Sequence, residues 1–92
     1  MISLINGEKM ALNNPKTFEV PSSSEKVSIS VGDYVKLGFI ENGQTERMWV
    51  NVTSINGEHT HFEGTLDNEP VLVNMKRTEF VAFNGEHILD IY

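Results

Sequence analysis

The constraint that decides most about this chain is a rhythm: from Gly32 to Ile91, apolar and polar residues alternate in short runs separated by turns rich in glycine and asparagine. Alternation puts every second side chain on one face, which is the pattern of a half-buried strand. In the run Gly32 to Phe39, Val35, Leu37 and Phe39 share one face, while Tyr34 and Lys36 share the other. Glu41-Asn42-Gly43-Gln44 reads as a turn, Glu46 to Ile55 as a second strand, Asn56-Gly57 as a hairpin signal, and His59 to Leu66 as the returning strand. After Asp67-Asn68-Glu69-Pro70 come Val71-Leu72-Val73, then Glu79 to Phe83, a turn at Asn84-Gly85, and His87 to Ile91.

A chain of 92 residues with no cysteine has one core and no cross-links to supplement it. Residues 1–92 are expected to form a single domain, with 1–30 an irregular N-terminal segment packed on a β core of 31–92. Within that segment Ile2 to Ile5 suits a strand, and Ser22-Ser23-Ser24-Glu25 resembles a capping box for one short helical turn. No longer helix is expected there. The fold class is mostly β (β or α+β), a small, strongly bent sheet or SH3-like barrel of about five or more strands, which limits exposed edges. Its core is expected to consist of Val35, Leu37, Phe39, Met48, Val50, Val52, Phe62, Leu66, Val81, Phe83 and Ile88. The segments Gly32-Asp33-Tyr34-Val35-Lys36-Leu37 and Thr78-Glu79-Phe80-Val81-Ala82-Phe83 echo one another, which reads as a recurring way to start a strand.

The hairpin through Asn56-Gly57 fixes where the single tryptophan points. A two-residue loop sets Val50 against Glu63 and mixes apolar and polar side chains on both faces. A three-residue loop of Asn56, Gly57 and Glu58, with a left-handed glycine, sets Met48 against Leu66, Val50 against Gly64 and Val52 against Phe62. The second register is expected because its apolar face is continuous. Its outward pairs are Arg47 with Asp67, Trp49 with Thr65, Asn51 with Glu63 and Thr53 with His61. Tyr34 and Lys36 join this face if their strand lies alongside. An indole, a phenol, a guanidinium, an ammonium and an amide together can stack on a planar group, hydrogen-bond its edge or hold an anion. The plainer alternative is that the N-terminal thirty residues simply cover Trp49.

Thirteen acidic against 7 basic side chains give a net charge of −6, a field that repels duplex nucleic acid and anionic membranes and suits a basic protein partner. Neither a signal-like N-terminus nor a long apolar run is present, so a cytoplasmic location is expected. There is no glycine-rich phosphate loop, nucleophile elbow or cysteine nucleophile, and no cofactor is implied. His59, His61 and Glu63 alternate on one strand, but three ligands on one strand make a poor cage, and no metal site is expected. His87 reads as a partly buried turn or core histidine.

Several segments resemble the bacterial and phage-associated family catalogued as domain of unknown function 2314. They are Pro15 to Pro21, Gly32 to Leu37, the strand Glu46-Arg47-Met48-Trp49-Val50, the turn Gly64-Thr65-Leu66-Asp67-Asn68-Glu69-Pro70, Val81-Ala82-Phe83 and His87 to Asp90. Where such sequences tend to carry a second Gly-Asp, this chain has Thr78-Glu79. The expectation for function is a non-enzymatic binding module using Trp49, Arg47, Asn51, Lys36, Tyr34, Asp67 and Asn68 for a small planar or anionic, nucleotide-like ligand. The resemblance permits a phage counter-defence sponge. The competing expectation is a protein-protein inhibitor or immunity-type module with an acidic surface, and either leaves room for a homo-oligomer. A small hydrolase or metal enzyme using the histidines ranks last.

Overall fold

A computed structural model describes all 92 residues, and in it the alternating runs become strands of one antiparallel sheet. In chain order the elements are β1 (Ser3–Leu4), α1 (Gly7–Asn13), α2 (Ser23–Val27), β2 (Tyr34–Glu41), β3 (Gln44–Ile55), β4 (His61–Leu66) and β5 (Phe80–Asn84). A single 3-10 turn at Gly85–His87 leads into β6 (Asp90–Ile91). The strand order is β1-β2-β3-β4-β5, with β6 also pairing β2. The sheet is strongly curled into a half-barrel, in agreement with the bent-sheet expectation. No helix is long and apolar enough to cross a membrane.

The first hairpin closes through Asn42 (φ 52°) and Gly43 (φ 75°), both left-handed, with Glu41 opposite Gln44. Two left-handed residues twist the turn the way the strands twist, which is why Asn-Gly serves here. The second Asn-Gly behaves differently and corrects the expected register. Val50 lies opposite Leu66, Asn51 opposite Thr65 and Val52 opposite Gly64; a bulge between Val52 and Ser54 then shifts the pairing to Ser54 with Glu63 and Ile55 with Phe62. The Asn56 side chain accepts from the backbone N–H groups of Thr60 and His61, at 2.9 and 3.0 Å, and so closes a longer loop. The left-handed residue in that loop is His59 (φ 56°), and Gly57 has no positive φ. Both simple loop lengths therefore fail, because the asparagine side chain replaced the tight turn and a bulge absorbed the extra residue. The pairs Arg47–Asp67, Trp49–Thr65, Asn51–Glu63 and Thr53–His61 do not form. The slip around Trp49 is an even number of residues, so the side chains keep the faces expected of them.

Every residue of the expected core is buried, and Ile29, Val73 and Leu89 add to it. Phe62 and Phe83 stack with centroids 5.4 Å apart and rings 8° from parallel. At Gly64 the strands approach closely: a Cβ there would overlap the Asn51 carbonyl oxygen and lie 2.7 Å from Val50 Cγ1.

The N-terminal thirty residues are more regular than expected. β1 extends the sheet beside β2, and Ile5 covers Gly38, where a Cβ would come within 2.7 Å of Ile5 Cδ1. Asn6 caps α1 by accepting from Lys9 N–H at 3.0 Å. That helix buries only Gly7, against Leu89 and Val20, so it has no apolar stripe to betray it in the sequence. The capping box of α2 forms as expected, Ser22 and Glu25 each bonding the other's backbone N–H. Lys26 is buried, and its ammonium donates to Glu8 of α1 at 2.7 Å. Val71-Leu72-Val73, for its part, is a bent loop with only Val73 buried.

Candidate functional site

The outward face of the sheet is built by strand register. One row runs Tyr34, Asn51, Thr65, Phe80 across β2 to β5; the next runs Asp90, Lys36, Trp49 across β6, β2 and β3. Asp67 joins at the end of the second row, its N–H donating to the Trp49 carbonyl at 2.9 Å. Tyr34, Lys36, Trp49, Asn51 and Asp67 thus lie together, as the sequence reading required, and all are partly exposed.

Trp49 is the centre of this face. Lys36 Nζ lies 4.8 Å from its ring centroid, and Tyr92 meets it edge-on at 5.8 Å and 86°. Tyr92 also stands edge-on to Tyr34, at 6.5 Å and 83°. Tyr34, Trp49, Tyr92 and Asp67 line a cavity of about 300 Å³. The Asp67 carboxylate accepts from Arg77 Nη2 at 2.9 Å, which replaces the expected pairing with Arg47.

Arg47, two residues along β3, lies over the ring of Phe18 at 5.5 Å. It lines a second hollow of about 500 Å³ with Lys36 and the Thr17–Pro21 segment. The chain's ion pairs are Lys26–Glu8 and Arg77–Asp67, so Lys36 and Arg47 rest on aromatic faces without a carboxylate partner. Glu19, Glu25 and Asp90 line the same hollow. Glu25 accepts from Ser22 N–H at 2.9 Å and Asp90 from Ile91 N–H at 2.8 Å, and both keep their charge.

Asn68 has a supporting part, because its side-chain oxygen accepts from the Trp49 N–H and ties the 67–70 turn to β3. Tyr92, Phe18 and Asp90 escaped the sequence reading. Tyr92 and Asp90 were accessible to it, since they alternate with Ile91 on the closing strand; Phe18 sits in a stretch without periodicity.

His61 Nδ1 bonds Asn84 Oδ1 at 2.7 Å, His59 is in the loop and Glu63 pairs with Ala82. No group of three or more histidines and carboxylates is arranged to hold a metal. Burial pushes His87 below its ordinary pKa against the opposing pull of Glu86, and its Nδ1 accepts from Asn84 N–H at 3.0 Å.

Comparison with known proteins found no matching family model, no matching curated protein and no matching solved structure. The resemblance to domain of unknown function 2314 therefore rests on the residues quoted for it.

Proposed function

We propose that the protein is a non-enzymatic binding module whose Trp49 face holds a small planar, anionic ligand of nucleotide type. The observation that carries this reading is the juxtaposition of an aromatic-lined cavity with two unpaired cations, Lys36 and Arg47. A ring stacks in the first and a phosphate meets the second. The cavity's 300 Å³ is at the small end of ligand sites, enough for one heterocycle. Binding without transformation is what a sponge does, and sequestering a host defence nucleotide in the cytoplasm is the role we assign. Titrating nucleoside monophosphates while following Trp49 fluorescence and melting temperature tests it. Saturable quenching with a raised melting temperature is expected, weakened in Lys36→Ala and Arg47→Ala more for nucleotides than for nucleosides. No response across the panel overturns it.

A second reading, a protein-protein module, is favoured by one feature. β5 pairs only with β4, and on this edge strand Phe80 is 61% exposed. An uncharged edge with a projecting aromatic suits strand addition by a partner. Capture of one protein, lost in Phe80→Asp and retained in Trp49→Ala, distinguishes it.

A further inference from the structure

The cavity beside Trp49 has one charged lining residue, and it is an acceptor. Its other walls are Tyr34, Trp49 and Tyr92. Phenol hydroxyls donate and accept alike, so they do not choose between heterocycle edges, and an indole ring offers only its face or its N–H. A carboxylate discriminates, because it accepts and does not donate.

Asp67 is also held in place. Its backbone N–H is fixed on the Trp49 carbonyl at 2.9 Å, the neighbouring Asn68 is tied to the Trp49 N–H, and Arg77 Nη2 binds Asp67 Oδ1 at 2.9 Å. One guanidinium nitrogen on one oxygen leaves lone pairs on both carboxylate oxygens, and the side chain is 35% exposed. A ring that stacks in this cavity meets, among its walls, a single carboxylate held by these bonds.

From this we infer that the site selects a guanine-type base, a planar ring whose edge presents two adjacent N–H donors. Guanine N1–H and its 2-amino group match the two carboxylate oxygens, as the parallel donors of arginine do. Adenine offers a donor beside an acceptor on the same edge, and uracil flanks its single donor with two carbonyl oxygens, so each sets a lone pair against Asp67. Hypoxanthine keeps N1–H and lacks the amino group, and is intermediate. Lys36 and Arg47 then receive the phosphate. The inference rests on the proposed nucleotide reading of the Trp49 face and adds the identity of the base.

The test is calorimetric titration of GMP, IMP, AMP and UMP into the wild-type protein and into Asp67→Asn. That variant keeps the side chain's size and replaces one acceptor oxygen by a donor; its melting curve establishes that it is folded. The wild type is expected to bind GMP about tenfold or more tightly than AMP or UMP, the range of a two-bond edge contact, with IMP between. Asp67→Asn is expected to lose most of that preference while still binding nucleotides. Equal affinities in the wild type, or a GMP preference unchanged in Asp67→Asn, overturn the base assignment and leave the Trp49 site standing. Absence of binding by all four nucleotides overturns both.

Discussion

Two residues in left-handed backbone show how an echo in the sequence becomes a repeated device. Gly32 (φ 99°) and Thr78 (φ 74°) each precede an acidic residue whose carboxylate accepts a backbone N–H three residues back: Asp33 from Ser30 at 2.9 Å, Glu79 from Lys76 at 3.0 Å. Each also donates its own N–H across the sheet, Gly32 to the Val52 carbonyl and Thr78 to that of Leu66, at 2.8 and 2.7 Å. Glycine takes this conformation freely, whereas a β-branched residue is strained in it. Thr78→Gly is therefore expected to raise stability by about 1 kcal/mol, read as a higher urea midpoint, and Gly32→Ala to lower it by a similar amount. An unchanged or lower midpoint for Thr78→Gly would mean that the turn is not strained. Core residues follow the usual rule: Val50→Ala or Phe62→Ala, both fully buried, should cost on the order of 2 to 4 kcal/mol.

The loop between β4 and β5 is held by carboxylates of the first hairpin. Glu46 accepts from the N–H groups of Val71, Leu72 and Val73 at 2.7 to 3.2 Å, and Glu41 accepts from that of Asn74 at 2.7 Å. Desolvation raises the Glu46 pKa, but the bonds from Leu72, Val71 and Val73 together outweigh it and leave the group below its ordinary value of 4.5. A carboxyl depressed on folding binds fewer protons folded than unfolded, so it stabilises above its unfolded value and that stability is lost as pH falls through the folded one. Hydrogen exchange at Val71 to Val73 should accordingly quicken as pH drops below 4.5 relative to other loop amides, and Glu46→Gln should quicken it at neutral pH. Equal protection in the variant would contradict the anchoring. None of this was legible in the sequence, where Glu46 was one more polar residue of an alternating strand. Helix α1 was hidden for a related reason: it is placed by its cap and by Gly7, with no apolar period to read.

At the scale of the whole molecule, face assignment survived where register did not. Alternation fixed which side of β2, β4 and β3 as far as Val52 each residue occupies, and hence both the core and the gathering of Tyr34, Lys36, Trp49, Asn51 and Asp67; beyond the bulge the faces exchange, and Ile55 packs on the core. The pairing itself depended on the Asn56 side chain and a bulge, which alternation does not encode, and the contribution of Phe18 depended on where the N-terminal segment packs. The central claim is that Trp49 is placed for a ligand and is dispensable to the core. Its direct test is the urea midpoint of wild type and Trp49→Ala, followed by circular dichroism with and without 1 mM GMP. Without ligand the variant should lose about 1 to 2 kcal/mol, less than a buried aromatic costs. A ligand bound only by the folded state raises the midpoint, so the wild type should gain from GMP and the variant should not. A loss of about 3 to 5 kcal/mol without ligand, or an equal GMP shift in both proteins, would contradict the account.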